Sequence, residues 1–144
     1  MSHVSRKNTP QERTVSTFFE KNKIHFRRNV RHLPGSPDIV LPDHRTVIFV
    51  HGCFWHGHKN CRLSRRPKSN KEYWYKKIDE NIERDKKKSR ELRKLGWKVF
   101  TVWQCQITSA KSEKTLKRLV TRIDKAQPRD PPSAGHDRST LLYY

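Results

Sequence analysis

Apolar positions recur first at helical and then at strand spacing, and they predict an alternating order of helices and strands. Val15, Phe18 and Phe19 lie on one face of a predicted helix. Thr9-Pro10 is typical of a helix start, because Thr caps the first turn and Pro fits it. We therefore expect a first helix from this point to about Asn22.

Two short strands are predicted next, joined by a tight turn. A basic stretch at 25–32 is compatible with extended backbone, and a turn rich in Pro and Gly follows at 33–37. We predict strands at 38–41 and 46–50, with a hairpin-like turn at 42–45. The second run is almost wholly apolar, as expected of a strand that is buried on both faces.

The second half of the chain repeats this alternation. A capping-box pattern at 69–72 predicts a long helix that ends at about Leu95 and is closed by Gly96. A strand is predicted at 97–103, and a basic amphipathic helix at 112–125. The order α-β-β-α-β-α indicates an α/β sandwich around a mixed sheet.

Composition limits the partners of such a domain. Lys and Arg number 33 against 14 Asp and Glu, a formal charge of +19, which favours DNA or RNA as partner over an anionic membrane surface. No apolar run approaches the ~20 residues that a membrane-spanning helix needs. Residues 1–9 are polar and basic, unlike a secretory signal, so a cytoplasmic location is expected.

The length of 144 residues indicates one domain with two flanking segments. We predict a basic N-terminal arm at 1–8 and a folded domain at 9–126. Residues 127–144 are rich in Pro and polar side chains, and are predicted to form a flexible C-terminal tail.

A run of His and Cys residues at 51–61 follows the apolar strand directly. Imidazole and thiolate groups are preferred ligands of zinc, and the three cysteines of the chain are an odd number at metal-like spacing. A structural zinc site is predicted from Cys53, His58, Cys61 and Cys105. In the alternative interpretation, Cys53 and Cys105 are buried core thiols and His58 is solvated.

Acidic residues and histidines in this region are candidates for catalysis. Asp38 follows Pro37 at a strand start, where a carboxylate can hold Mg²⁺ against a phosphate. An Asp at a turn is also simply a common turn former. His51 and His56, at the end of the next strand, offer groups that activate an attacking water molecule.

The long helix brings a further carboxylate toward this site. Trp74, Ile78 and Ile82 recur every four residues as a buried stripe, and Asp85 continues it. A carboxylate turned inward needs a partner, and a histidine is a suitable one. The alternative is an Asp on the helix surface paired with Arg84 or Lys88.

Two adjacent aromatics, Phe54 and Trp55, cannot both point into the core from a tight metal-held loop. Aromatic wedges of this kind insert between base pairs in DNA-binding proteins. Trp74 either joins them or packs in the core. Trp97 and Trp103 lie on an apolar strand, and both are predicted to be core residues.

With these residues assembled, the chain resembles the very short patch repair (Vsr) endonucleases. A Gly-Cys-Phe-Trp-His block after a strand, with Pro-Gly-x-Pro-Asp upstream, is the most specific part of the resemblance. Matching residues lie at 6–12, 33–40, 47–58, 73–74, 77–78, 81, 84–85 and 96–105.

The resemblance implies a restriction-endonuclease-like fold, a three-layer sandwich with a central mixed β-sheet and a structural zinc site. It implies a Mg²⁺-dependent nick on the 5′ side of the thymine in a T·G mismatch that arises from deamination of 5-methylcytosine. The partners would be double-stranded DNA with such a mismatch, a cytosine-5 DNA methyltransferase in functional association, and a repair polymerase and ligase downstream. We expect a monomer, in the cytoplasm of a bacterium or archaeon.

The resemblance also implies roles for single residues. Asp38 and the main-chain carbonyl of Val50 would bind Mg²⁺, and Glu12 would hold water of the ion's hydration shell. His56 would be the general base, oriented by Asp85. A further set comprises a phosphate contact at His51, structural zinc ligands at Cys53, His58, Cys61 and Cys105, and DNA-inserting aromatics at Phe54, Trp55 and Trp74.

Two rival functions use the same features. A zinc-stabilised nucleic-acid-binding module without catalysis would need the charge, the zinc site and the aromatics, but not Asp38, His56 and Asp85. A nuclease of the same fold that cuts matched DNA would share the catalytic residues, and normally carries further domains.

Overall fold

Helices and strands alternate as the apolar pattern predicts, with one small strand and one short helix in addition. The computed structural model describes residues 9–108, 110 and 112–125, so the predicted arm and tail lie outside the described residues. None of the helices in these ranges combines the length and apolarity needed to cross a membrane. The elements in chain order are α1 (Pro10–Lys21), β1 (Arg27–Arg28), β2 (Ile39–Leu41), β3 (Thr46–His51), α2 (Lys71–Lys94), β4 (Lys98–Trp103), α3 (Gln104–Ile107) and α4 (Ser112–Lys125).

Helix α1 begins where its sequence predicts. Thr9 is extended, and its hydroxyl oxygen accepts a hydrogen bond from the main-chain N–H of Glu12 at 3.2 Å. Pro10 occupies the first helical position, where no N–H is required. The apolar stripe is buried against the sheet, with Phe19 fully inaccessible. The side chain of Glu12 is also buried, which brings a carboxylate into the interior.

The strands form one mixed sheet in the order β1-β2-β3-β4. The β1–β2 and β2–β3 pairs are antiparallel, and the β3–β4 pair is parallel, connected through α2. Parallel pairing brings the C-terminal ends of β3 and β4 to the same edge of the sheet, with His51 beside Trp103. The groups that follow both strands therefore meet at this edge.

Helices cover both faces of the sheet, which gives three layers. On one face, Ile48 joins a core formed with α1, α3 and α4. On the other, Val47 and Phe49 pack with Leu92 of α2 and with Trp97. Successive side chains of β3 thus enter different cores, because strand residues alternate between faces. The predicted α/β architecture with a mixed sheet is confirmed.

Helix α2 ends as predicted but begins differently. Gly96 adopts φ +95°, and the main-chain N–H of Trp97 donates to the carbonyl of Leu92 at 3.1 Å, a pattern that closes helices. At the start, Asn70 is left-handed with φ 52° and makes no side-chain capping bond. The capping box predicted at 69–72 is therefore wrong, because the loop enters the helix through a left-handed residue.

Two strands begin one residue later than predicted, and one short helix is additional. Strand β2 begins at Ile39, one residue later than predicted, although the main-chain carbonyl of Asp38 still accepts a hydrogen bond from the N–H of Asn29 at 2.9 Å. Strand β4 begins at Lys98, because Trp97 turns into the core under the end of α2. The short helix α3, directly after β4, has no counterpart in the predicted order.

Candidate active site and metal centre

The loop that follows β3, residues 52–61, is held by α2 as well as by its own turns. Asn81 of α2 donates a side-chain hydrogen bond to the carbonyl of Trp55 at 2.8 Å. Gly57 has φ +60°, and a Cβ there would lie 2.6 Å from Ile82 Cδ1. Only glycine fits this approach, so the loop lies directly on the helix.

Four side chains with sulfur or nitrogen ligand atoms meet where the loop reaches the end of β4. The ligand atoms of Cys53, His58, Cys61 and Cys105 all lie within 4.8 Å of one another. Cys105 Sγ is 3.5 Å from His58 Nδ1, and the main-chain N–H of Cys105 donates to Cys53 Sγ at 3.4 Å. His58 thus points toward the thiols rather than into solvent, so the alternative with a solvated His58 does not apply.

The chemistry of this cluster fits a zinc ion. Three free thiols and one imidazole make a complete tetrahedral ligand set. Burial raises the pKa of Cys53 to about 12, so its thiol is neutral unless a cation is bound. A bound metal ion deprotonates such a thiol. The side chain of Gln104 accepts from the main-chain N–H of Cys53 at 3.3 Å, and so holds the loop from the β4 side.

Two histidine rings stack beside the cluster. His51, the last residue of β3, and His56 have ring centroids 3.8 Å apart with an interplanar angle of 3°. His56 Nδ1 lies 2.6 Å from Asp85 Oδ2, so the inward carboxylate has a histidine partner and not a basic residue of its own helix. Burial, followed by the charge of His56, lowers the pKa of His51 to about 3, which leaves that ring neutral.

The stacked geometry decides what this second group can bind. Ligand atoms of His51, His56 and Asp85 also lie within 4.8 Å of one another. However, a ring nitrogen binds a metal in the plane of its ring, and parallel stacked rings have no common in-plane position. The arrangement suits proton transfer instead, because Asp85 engages Nδ1 of His56 and leaves Nε2 for a water molecule.

A pair of carboxylates lies on the β2 side of β3. Asp38 Oδ2 accepts a hydrogen bond from the main-chain N–H of Val50 at 2.7 Å. Burial, reinforced by the nearby charge of Glu12 and only partly offset by the Val50 bond, raises the pKa of Asp38 to about 7. Arg28 Nη2 lies 4.0 Å from Glu12 Oε1. Two carboxylates so placed favour a proton or a divalent cation between them.

The main-chain carbonyl of Val50 faces the same side. In a strand, the N–H and C=O groups of one residue point toward the same neighbour, and the Val50 N–H points to Asp38. Continuing the β2–β3 register by two residues brings Pro37 opposite Val50. Proline has no N–H to donate, so this carbonyl lacks its ladder donor and suits a cation ligand.

Aromatic side chains form an exposed group at the start of α2. Phe54, Trp55 and Trp74 have ring centroids 5.2, 5.4 and 5.6 Å apart, pair by pair. Tyr73 adds a ring 5.0 Å from Trp74. Trp55 is 42% exposed and Tyr73 is 58% exposed, so the cluster presents apolar surface to solvent. Trp74 lies in this cluster and not in a core.

The prediction that Trp103 is a core residue is wrong. The residue is half-buried, and its ring stacks on His58 with centroids 4.1 Å apart and contacts His51 edge-on at 5.3 Å. Trp97, in contrast, is a core residue as predicted. The apolar pattern does not indicate that β4 pairs in parallel with β3, and this pairing brings Trp103, the last residue of β4, beside His51, the last residue of β3.

The sequence analysis also assigned no role to three residues of the site, Tyr73, Asn81 and Gln104. Asn81 lies three residues after Ile78 on the buried stripe, so its polar amide there was a signal for an inward hydrogen bond. Gln104 precedes Cys105, but nothing local indicates that its side chain crosses to the loop. Tyr73 precedes Trp74 on the exposed side of α2.

A basic depression of about 540 Å³ opens beside the histidine pair. Lys86, Arg90 and Arg93 of α2 line it, together with Lys59 of the loop. Within the described ranges, Arg90 and Arg93 have no acidic partner. Another depression, of about 640 Å³, follows residues 25–32 and contains none of the predicted site residues.

Several known proteins are similar to this chain in sequence. The family model described as DNA mismatch endonuclease Vsr matches residues 1–62. The DNA mismatch endonuclease Vsr of Escherichia coli is 35% identical over 125 residues, 87% of this chain and 79% of that protein. The chain belongs to the Vsr family.

Two other relatives are named as nicking enzymes. The type II nicking enzyme V.XorIIP of Xanthomonas oryzae pv. oryzae is 46% identical over 108 residues, 75% of this chain and 79% of its own length. The type II nicking enzyme V.NmeAIP of Neisseria meningitidis is 42% identical over 127 residues, 88% and 90% of the two chains. The predicted Vsr membership and the enzyme class, a DNA endonuclease, are confirmed.

Replacing Cys105 by Ser tests the metal cluster. We expect the Cys105→Ser variant to lose most of its bound metal, because three ligands remain and a hydroxyl is a poor zinc ligand. Its melting temperature should fall by about 10 °C or more, since metal binding contributes to folding. Elemental analysis and thermal melting measure both effects, with exposed Thr108→Ala as control. Unchanged metal content would refute the four-ligand cluster.

The raised pKa of Asp38 predicts an effect of pH on stability. The carboxyl titrates at about 7 in the fold against an ordinary 3.8. The folded state therefore binds this proton more tightly, and its stability falls as pH rises between these values. Without added divalent cation, Asp38→Asn should melt at a higher temperature than the wild type at pH 8, and the difference should shrink toward pH 4.

The control for this effect is Asp43→Asn, because Asp43 is 71% exposed. Thermal melting of the three proteins from pH 4 to pH 8 makes the comparison. Adding Mg²⁺ at pH 8 should then stabilise the wild type more than Asp38→Asn. A pH-independent difference between these two proteins would rule out the predicted titration.

Proposed function

We propose that this Vsr-family protein is a Mg²⁺-dependent, strand-specific endonuclease that starts very short patch repair. It nicks DNA on the 5′ side of the thymine in a T·G mismatch formed by deamination of 5-methylcytosine. The observation that carries the proposal is the meeting, at the C-terminal end of β3, of a carboxylate pair, a histidine–aspartate pair and exposed aromatic rings. The three layers, a mixed sheet with helices on both faces, support a restriction-endonuclease-like fold.

DNA binding is supported by the charge of +19 and by where part of it lies. Lys59, Lys86, Arg90 and Arg93 line the depression next to His56. A DNA strand with its scissile phosphate at the histidine pair continues into this depression, where the cations contact its phosphates. Such contacts supply affinity without sequence preference.

Selection of a mismatch is supported by the aromatic cluster. Phe54, Trp55 and Trp74 enter the base stack as a wedge and separate the mispaired step. A mispaired step is easier to distort than a matched one, so the same distortion costs less free energy there. Phe54, Trp55 and His56 are consecutive residues of one short loop, and this fixes the distance between the mismatch and the cut.

The cation site of the proposal comprises Asp38 and the main-chain carbonyl of Val50, with Glu12 next to it. These are oxygen donors, as Mg²⁺ prefers. When bound, Mg²⁺ stabilises the negative charge that develops on the phosphate. Asp38 and Glu12 offset the ion's charge, and Arg28 balances Glu12 from the edge of the sheet.

Proton transfer in the proposal belongs to His56. Its Nδ1 is held by Asp85 at 2.6 Å, so Nε2 accepts the proton of the attacking water. Asp85 fixes the tautomer and stabilises the imidazolium that forms. His51 is neutral, so its phosphate contact is a hydrogen bond and not an ion pair.

The zinc ion of the proposal is structural. Cys53, His58, Cys61 and Cys105 fill its ligand shell and join the loop to the end of β4. The protein acts as a monomer, in functional association with a cytosine-5 DNA methyltransferase. A repair polymerase and ligase complete the repair after the nick.

A nicking assay tests the proposed function. Duplexes with one T·G mismatch, each strand labelled, are incubated with the zinc-containing protein and Mg²⁺. We expect one nick, 5′ of the mismatched thymine, and an intact matched duplex. His56→Ala should slow nicking about 10²–10⁴-fold, because the general base is lost. Asp38→Ala should abolish nicking and largely preserve binding.

The matched control is His25→Ala, which removes an exposed histidine next to Asp43, at the opposite end of β3 from His51. It should nick as the wild type does. Binding without any nick in the mismatched strand would favour the nucleic-acid-binding module. Equal cutting of the matched duplex would favour a nuclease without mismatch specificity.

The basic depression predicts a change in salt dependence. Each phosphate contact contributes about −0.9 to the slope of log K against log salt concentration. The double variant Arg90→Ala, Arg93→Ala should therefore reduce the slope by about 2, measured by fluorescence anisotropy of a labelled duplex. The control pair Lys117→Ala, Arg118→Ala lies on α4, across the sheet, and should change the slope less. Equal effects of both pairs would show that the charge acts diffusely.

A further inference from the structure

A continuous row of aromatic rings joins the metal cluster to the histidine pair. His58, a member of the cluster, stacks on Trp103 with centroids 4.1 Å apart and an interplanar angle of 7°. Trp103 meets the ring of His51 edge-on at 5.3 Å and 72°. His51 in turn stacks on His56 at 3.8 Å. Trp103 is the only tryptophan among the described residues that contacts both groups.

We propose that Trp103 is a positioning residue. Its ring stacks on His58 of the metal cluster and sets the orientation of the His51–His56 stack. The proposal rests on the proposed function, since it assigns these histidines to the nicking reaction. Trp103 itself need not touch DNA. It transmits the position of the cluster to the rings that act on the phosphate.

The ring of His51 needs such support because hydrogen bonds do not fully orient it. Its Nδ1 is buried and has no hydrogen-bond partner. The ring instead contacts three others: Phe49 at 5.6 Å, Trp103 at 5.3 Å and His56 at 3.8 Å. Phe49 is buried in the core next to α2, so it is fixed. Trp103 supplies the second fixed contact, from the β4 side.

The anchoring of His56 is likewise incomplete without the stack. Asp85 holds its Nδ1, and its main-chain N–H donates to the carbonyl of Gly52 at 3.2 Å. One hydrogen bond to the ring still permits rotation about that contact. Stacking on His51 restricts this rotation, and so keeps Nε2 aimed in one direction. A catalytic group that loses alignment by about 1 Å can lose 10²-fold in rate.

The position of Trp103 is itself well determined. It is the last residue of β4, paired with His51 in the parallel register. Its main-chain N–H donates to Gln106 Oε1 at 2.9 Å. Gln104 and Cys105, the next residues, hold the loop through Cys53. The tryptophan therefore moves only if the whole junction of loop and strand moves.

A purely structural role for Trp103 makes a different prediction. If the ring only shields the metal cluster, its removal lowers metal content and stability, and the rate falls in proportion to the metal lost. If it positions the histidines, the rate falls while metal content and DNA affinity stay unchanged. The two roles separate in a measurement of rate, binding and metal on the same protein.

The experiment uses Trp103→Leu, Trp103→Phe and the control Trp97→Leu. Trp97 lies in the core between the sheet and α2, next to the start of β4, and the histidines lie at the other end of that strand. Single-turnover nicking of the T·G duplex gives the rate, and anisotropy gives the Kd. Elemental analysis gives zinc, and NMR of histidine ring protons in the free protein reports the stack directly. Trp103→Met replaces the Leu variant if that variant does not fold.

We expect Trp103→Leu to nick about 10- to 100-fold more slowly, with zinc content and Kd unchanged. The cross-relaxation between the ring protons of His51 and His56 should weaken as the stack loosens, an effect that loss of the Trp103 ring current alone does not produce. Trp103→Phe should recover most of the rate, since it keeps a ring. Trp97→Leu should lower the melting temperature and leave the nicking rate as it is.

Three results would overturn the proposal: normal nicking by Trp103→Leu, a rate that falls only as zinc is lost, or no recovery with Trp103→Phe. Failure of the wild type to nick any duplex would overturn the proposed function instead. In that case the histidine resonances still decide whether the stack depends on Trp103, because they are measured without DNA.

Discussion

The anchoring of residues 52–61 to two distant elements is the constraint on which the site depends. The loop is tied to α2 by the Asn81 hydrogen bond and by the close approach at Gly57, and to β4 by the meeting of Cys53 with Cys105. A free loop of this length samples many conformations, and ordering each residue costs about 1–2 kcal/mol of backbone entropy. The contacts with α2 and β4 offset that cost, so the loop holds its side chains at a defined place.

Next to this rigid loop lies an arrangement that is unfavourable by itself. Burying Asp38 near Glu12 brings two acids together where the solvent screens them poorly, and the raised pKa of Asp38 expresses that cost. A bound cation or a proton relieves this repulsion between the two carboxylates. The pair is thus a candidate site for a divalent cation, and the stability of the surrounding sheet offsets the cost of burying two acids.

Local signals predicted much of this structure, and long-range contacts account for the rest. Thr9 and Gly96 mark helix ends through their own chemistry, so both could be read from the sequence. Asp85 was found because helical periodicity turns it inward. Asn70, in contrast, has a left-handed backbone that depends on how the loop meets α2. The pattern at 69–72 therefore predicted a capping box that does not form. The place of Trp103 depends on which strand pairs with β4, a fact that an apolar run does not contain.

The parallel pairing of β3 with β4 also determines when the site forms. Cys105 is separated from Cys53 by the whole of α2, so the two residues meet only when the crossover has closed and β4 pairs with β3. The candidate metal cluster is therefore complete only when the sheet is complete. A nascent or partly unfolded chain has neither a fixed loop nor aligned histidines. The candidate site is thus complete only in the finished fold, and its parts are separate in a chain that has not yet paired β4 with β3.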